Sequence, residues 1–448
     1  MIQATCTDDE TISQINRRFS RYSDAAISTI PFVERIPSHW RIQKLKYIAN
    51  VRFSSVDKKT EEGETTVRLC NYTDVYNNDN IVDDPAFMQA TATDAEIDRF
   101  TLRKGDVLIT KDSEAWNDIA VPAYVTTDMP GVLCGYHLAH IRPNPNVLDG
   151  AFLSRAFSAD GIRQQFHVAA NGVTRYGLPN RAIAGGLFPV PPLDEQRAIA
   201  AFLNRETTTI DELIAKNLRL IDLLVEKRSS LASQAVTNGL NSTVSFKNSD
   251  VHWMGDIPIH WNVVRLRFLC DITTGGRDTQ DADDTGEYPF FVRSDTIERI
   301  STWSFDGEGV LTSGDGVGVG KVFHHYTGKM EIHQRVYLFH NFRKIIGRYF
   351  FHFLRENLYK VVLEGGAKST VDSLRRPMLQ NFEIALPPLD EQAGIVELID
   401  AEHAKLSALK SSIASAVEQL HIYRSALISA AVTGQIDVRN HRPEAPCR

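Results

Sequence analysis

The sequence predicts an α+β protein: two mixed α/β domains separated by two long helices that form an antiparallel coiled coil, arranged as an internal pseudo-two-fold repeat. Three observations carry this prediction. Pro191-Pro192-Leu193-Asp194-Glu195-Gln196 recurs as Pro387-Pro388-Leu389-Asp390-Glu391-Gln392. Each copy opens a long apolar-periodic stretch that ends in Ala-Val-Thr, at Ala235-Val236-Thr237 and Ala431-Val432-Thr433, with a constant offset of 196 residues. A second pair, Ile36-Pro37-Ser38-His39-Trp40 and Ile257-Pro258-Ile259-His260-Trp261, is offset by 221. The segments between the two motifs therefore share an order and differ in length.

Taken along the chain, residues 1–30 are polar, lack a sustained period and read as an N-terminal arm or loosely attached helix that adds little core. Residues 31–190 form the first domain, where short β-rich runs (106–110, 120–125) alternate with turns and one helical candidate, 149–167. Residues 191–237 are the first helix, 238–386 the second domain, 387–436 the second helix and 437–448 a C-terminal tail. The domains align internally. Thr73-Asp74 falls on Ser294-Asp295 at offset 221, Gly105-Asp106-Val107-Leu108 on Glu308-Gly309-Val310-Leu311 at 203, and Leu178 on Leu374 at 196. The first domain is thus longer by 18 residues in one loop region and by 7 in another, as expected of loops diverging on a shared scaffold.

The helices carry heptads: Leu203, Ile210, Asn217, Leu224 and Leu231 in the first, Ile399, Leu406, Ile413, Leu420 and Leu427 in the second. Ile395, Leu409, Ala416 and Tyr423 form an adjacent track. Asn217 is the polar seam residue, either fixing register or lying at a solvated edge. At about 1.5 Å per residue, roughly 44 residues make a rod of about 65 Å. Connectivity favours antiparallel packing, because one compact domain then links the end of the first helix to the start of the second, with the two domains at opposite ends. Asp194 and Asp390 are placed to cap.

Composition excludes several classes. No stretch reaches the roughly 18 apolar residues of a membrane span, and no targeting segment is visible, so a cytoplasmic protein is expected. The five cysteines are scattered without a C-x-x-C pair, against a disulfide framework or a zinc cluster. The net charge of −7 argues against a nucleic-acid reader, which usually shows a basic footprint. In the second domain, however, acidic residues cluster early and basic ones late. No methyltransferase base pocket, G-x-G-x-x-G, H-E-x-x-H or complete phosphate loop is present; 314–321 resembles the last but has Asp315 and Val322 where the motif needs glycine and a hydroxyl. No catalytic or metal site is expected.

The remaining candidates suit phosphate or base-edge contact. Thr174, Arg175 and Tyr176 follow Gly172, and Lys368, Ser369 and Thr370 follow Gly366, in the same place before each Pro-Pro motif. Lys321 ends the glycine-rich turn, whose backbone N–H groups suit phosphate. Lys111, Ser113, Arg293, Ser294 and Arg335 add basic and hydroxyl side chains. A solvated turn without a ligand stays an open alternative at each position.

Two variable α/β domains, each opened by Ile-Pro-x-His-Trp and followed by Pro-Pro-Leu-Asp-Glu-Gln and a heptad helix, resemble the specificity subunit of type I restriction-modification systems over nearly the whole chain. The resemblance implies two target-recognition domains, each reading one half of a bipartite, asymmetric site in double-stranded DNA. It implies that the coiled coil sets the spacing and docks two methyltransferase subunits, with two restriction/translocase subunits joining for cleavage. The chain itself would be non-catalytic and without cofactor. S-adenosylmethionine, ATP and Mg²⁺ would bind the partners in a complex acting as site-specific endonuclease and adenine-N6 DNA methyltransferase. Two alternatives stay open: a coiled-coil scaffold for protein partners, which the acidic total favours, and the specificity subunit of a methylation-only system.

Overall fold

The computed structural model describes residues 7–241, 243–364, 373–439 and 441. Two continuous helices, Leu193–Asn238 and Leu389–Val432, run through a chain that divides into two compact units. One unit is built from the residues up to Lys216 together with those from Ser415 on, the other from Asn217–Ala414. Each unit therefore holds one α/β head, the first part of the helix that follows it and the last part of the other helix.

That division fixes the helix direction. In the first unit Leu203, Ile210 and Ile214 share a core with Leu427, and Leu420 and Tyr423 pack against it. In the second, Leu224 clusters with Leu406 and Ile413, and Leu231 packs on the core that contains Ile399. Early residues of one helix meet late residues of the other, which is antiparallel packing. Asn217 is half-buried, and Leu409 on the adjacent track is 46% exposed. Asp194 and Asp390 do not cap: the helices begin one residue earlier, and both carboxylates are exposed in the first turn, where they favour the helix dipole.

The repeated motifs meet in space within each unit. Glu195 is 5% exposed and accepts from Trp40 Nε1 at 3.1 Å, with His39 Nε2 2.9 Å away. Glu391 accepts from Trp261 Nε1 at 3.0 Å, with His260 Nε2 at 2.8 Å. The neighbouring glutamine ties the helix to its head. Gln196 accepts from the Asp149 N–H (2.8 Å) and donates to the carbonyls of Val147 (2.9 Å) and Pro191 (2.8 Å). Gln392 accepts from Ile346 N–H (2.8 Å) and donates to Lys344 (3.1 Å) and Pro387 (2.9 Å). The end of the other helix closes the junction through a left-handed glycine after Ala-Val-Thr. Gly434 (φ +70°) lies against Pro37 and Trp40, and Gly239 (φ +73°) against Trp261 and Glu391, where a Cβ would collide.

The heads share a three-stranded frame. In the first, Leu138–Pro143 lies between Ala49–Phe53 and Val107–Thr110; in the second, Val336–His340 lies between Asp271–Thr274 and Phe305–Ser313. Beyond it they differ. The first head adds Pro122–Val125 and Asn80–Ile81 to that sheet and builds a second one from Met88–Ala92, Thr65–Cys70, Met129–Cys134 and Thr101–Leu102. The second head extends its frame with the hairpin of Phe305–Ser313 and Phe323–Ile332, then Tyr288–Phe291 and Ile297–Ile300.

The N-terminal arm departs from expectation in its attachment. The helix Thr7–Arg18 is within that expectation, but it is not loosely attached: Ile15 (1% exposed) and Phe19 (6%) enter the first core with Ile436 and Val438. Phe19 meets Phe202 edge-on at 5.2 Å. Among the described side chains, the buried Thr11, Ile15 and Phe19 form a single four-residue row, and only two of the three are apolar, too thin a stripe to read as a period.

Candidate nucleic-acid interface

In the first head a small sheet gathers the candidates. Tyr176–Gly177 pairs with Asn171–Gly172 on one side and Asp112–Ser113 on the other. Gly172 has φ +149° and lies so close to the Arg175 carbonyl that no Cβ fits, which makes the tight tip possible. Val173, Thr174 and Arg175 are exposed on it. Tyr176 is half-buried and packs on the core. Ser113 is buried, and its Oγ accepts from the Ala115 N–H at 3.3 Å, so it braces the turn and is not presented to solvent. Lys111 is largely covered; its Nζ lies 3.0 Å from Asp112 Oδ2 and 4.9 Å from the centre of the Tyr136 ring.

Asp112 is the hub of this surface. His137 Nδ1 lies 3.0 Å from the same Oδ2, and Arg175 Nη2 is 3.5 Å from His137 Nδ1. Burial alone would raise the Asp112 carboxyl; hydrogen bonds from His137 and Lys111 hold it below the usual carboxylate range. Tyr72 borders it. Burial raises that phenol, against the influence of Ser113 and Arg175. Its ring stacks on Tyr76 at 5.5 Å and 14°, and Tyr76 donates to Asp118 at 2.7 Å. Exposed Tyr136 and Trp116 add flat surface suited to sugar or base contact.

In the second head, Arg293 and Arg335 converge on Asp315. Arg293 Nη1 is 3.2 Å from Oδ1, and Arg335 Nη1 pairs with Oδ2. Asp315 is 16% exposed against 45% and 61% for the arginines, so the carboxylate sits beneath two presented guanidiniums. Burial pushes its pKa up, and the arginines bring it below the ordinary range. Ser294 is exposed, its hydroxyl donating to the Thr296 carbonyl at 3.1 Å. Lys321 is exposed. The glycine-rich turn is not an open phosphate cradle. The N–H groups of Val319, Lys321 and Val322 bond back to Gly316 and Gly318, and that of Gly314 to Arg335. Lys368, Ser369 and Thr370 lie outside the described residues.

The hub carboxylates Asp112 and Asp315, with Tyr72, Tyr76 and His137, were not among the candidates. The missing signal was the carboxylates' common alignment position. A carboxylate beside basic residues otherwise reads as a solvated charge. Among the described residues no group of His, Cys, Asp and Glu could hold a metal ion, and no helix is long and apolar enough to cross a membrane.

Comparison with known proteins finds relatives. Residues 258–419 match the type I restriction modification DNA specificity domain. The chain is 31% identical over 182 residues to the type I restriction enzyme EcoDI specificity subunit of Escherichia coli, covering 41% of this chain and 40% of that protein. It is 26% identical over 277 residues to the MjaVIII specificity subunit of Methanocaldococcus jannaschii (56% of this chain, 62% of that one). The chain thus spans less than two thirds of the length of these two relatives. A putative MjaX specificity subunit from the same organism is matched over 91% of this chain and 96% of its own length at 22% identity. Among solved structures, one described by complex assembly and conformational transition of the type I R-M system aligns with TM-score 0.71, 20% identity, 90% of this chain and 99% of its own. The HsdS subunit from Thermoanaerobacter tengcongensis aligns with TM-score 0.51 at 20% identity, over 90% of this chain and 98% of its own. At that identity the structures speak to the fold alone.

Proposed function

We propose that this chain, which carries a type I restriction modification DNA specificity domain and resembles type I specificity subunits over most of its length, reads a bipartite, asymmetric site in double-stranded DNA. One head reads each half. The observation that carries the reading is that one repeated frame presents two different polar surfaces at corresponding positions. In the first head Lys111 and His137 hold Asp112, with Arg175 beside His137 and Tyr72 near Ser113 and Arg175; in the second, Arg293 and Arg335 hold Asp315. Different side chains on one scaffold suit two unlike half-sites.

In this reading the antiparallel helices set the gap between half-sites and dock two methyltransferase subunits. Leu218, Leu220, Leu223 and Val225 are all more than 40% exposed within eight residues of the first helix, a density of apolar side chains that suits a protein partner. Two restriction/translocase subunits would complete an assembly working in the cytoplasm. This chain would supply no catalytic group; S-adenosylmethionine, ATP and Mg²⁺ would bind the partners, which would methylate adenine N6 and cleave unmodified DNA.

Single-molecule methylome sequencing of cells with and without the gene tests the proposal. A split, asymmetric adenine-methylation motif should vanish with the gene. An unchanged methylome, together with DNA binding by the assembled complex that does not fall with salt, would instead favour a protein-interaction scaffold.

A further inference from the structure

The two hub carboxylates occupy one structural position. Asp315 follows Asp112 by 203 residues, the offset that also relates the strands leading into them. Asp112 pairs with Gly177 and Asp315 with Ser373, partners 196 apart, the offset found after the heads. The surrounding hydrogen bonds repeat. Leu178 N–H donates to the Lys111 carbonyl and Leu374 N–H to that of Gly314, both at 2.8 Å. Lys111 N–H donates to the His137 carbonyl (3.3 Å) and Gly314 N–H to that of Arg335 (2.8 Å). His137 thus stands at the register of Arg335, and Tyr72, by the offset of 221, at that of Arg293. The carboxylate and its backbone frame are common to both heads, and the side chains that hold it have changed.

A negative charge at this place is costly for DNA affinity, since it repels phosphate and neutralises one of the cations beside it. Simple attraction would have no use for it. What a covered carboxylate does supply is aim: hydrogen-bonded to two basic groups, it fixes their rotamers and directs their remaining donors outward. Arginine depends most on such fixing, because its planar fork recognises a base edge only in one orientation.

We propose that Asp112 and Asp315 are the positioning residues of the two DNA-reading surfaces, each holding the basic side chains of its own head in the orientation that discriminates sequence. This rests on the DNA-reading function proposed above. Removing the carboxylate should therefore move affinity and discrimination in opposite directions, which a merely structural residue would not do.

The test selects bound duplexes from a randomised pool with the assembled complex, and measures binding to one fixed unrelated duplex across a salt series. For Asp315→Asn, discrimination at one half-site should fall about tenfold or more. The other half-site stays unchanged, while non-specific binding tightens and the slope of log K against log salt steepens by about one. Asp112→Asn should do the same at the opposite half-site, and Asp315→Glu should restore much of the discrimination. If Asp315→Asn does not fold, the exposed Arg335→Gln carries the test: the same half-site loses discrimination, and the salt slope becomes shallower by about one. Wild-type complex that selects no sequence overturns the DNA-reading function and this proposal together. Wild-type selection with either variant selecting as sharply at both half-sites overturns this proposal alone.

Discussion

At the scale of single residues, the Pro-Pro-Leu-Asp-Glu-Gln motif is a clamp whose parts carry unequal weight. Gln392 is fully buried and satisfies one backbone donor and two backbone acceptors between head and helix. Asp390, two residues earlier, is exposed. Removing the Gln392 side chain leaves three backbone groups without partners in a site where water must enter at a cost. Gln392→Ala should therefore destabilise the second unit by about 2–4 kcal/mol, since one unsatisfied buried group alone costs about 1–3 kcal/mol. Asp390→Ala should lie within about 0.5 kcal/mol, the usual range of an exposed position. Denaturant midpoints of the two variants check this, and equal losses would show that the motif acts through its charge at the helix start. The buried Glu195 and half-buried Glu391 explain why each motif needs its Ile-Pro-x-His-Trp counterpart, a pairing that repetition hints at and that only the three-dimensional contact reveals.

At the scale of elements, the long helices were the most legible part of the sequence, because a heptad is a local pattern repeated many times. The structure adds which side chains face inward: Leu406 is 8% exposed in a cluster with Leu224 and Ile413, whereas on the adjacent track Ile395 is buried and Leu409 is 46% exposed. Leu406→Ala should cost about 2–3 kcal/mol and Leu409→Ala about 0.5 kcal/mol or less. Thermal melts that ranked them the other way would mean a different helix register. The head frames were legible by internal alignment, since the strands around 107–110 and 310–313 keep their order. The extra sheet of the first head was not, because the parallel pairing of Thr65–Cys70 with Met129–Cys134 joins segments far apart in sequence and leaves no local mark. The candidate surface shows the same split. Gly172 announced the Thr174-Arg175 tip through a backbone requirement. Ser113 looked like a donor and is buried, and the amides of Val319, Lys321 and Val322 are spent on the glycine-rich turn itself, facts that composition does not encode.

At the scale of the whole molecule, the repeat separates what must stay constant from what is free to vary, and this bears on how a new specificity would be made. The junction of Trp40, Glu195, Gln196 and Gly434 belongs to the constant part, as do Ile15 in the N-terminal helix and Phe19 just after it, which share the first core with the end of the second long helix. A graft that cut at residue 31 and replaced the Ile-Pro-x-His-Trp motif would disturb that junction. One that exchanged only the stretch after Trp40 and before Pro191 would keep both motifs, and would carry both partners of the strand pair, Arg41–Lys44 and Leu187–Val190, together within the graft at its two ends. Such a chimera, carrying the corresponding stretch of a relative, should change the methylated sequence at one half-site while leaving the other half and the gap between them as they were. The gap is expected to hold because neither long helix is altered. Methylome mapping of cells carrying the chimera decides it: a change in both half-sites, or in the gap with one half-site unchanged, would mean that the heads do not read independently on a common frame.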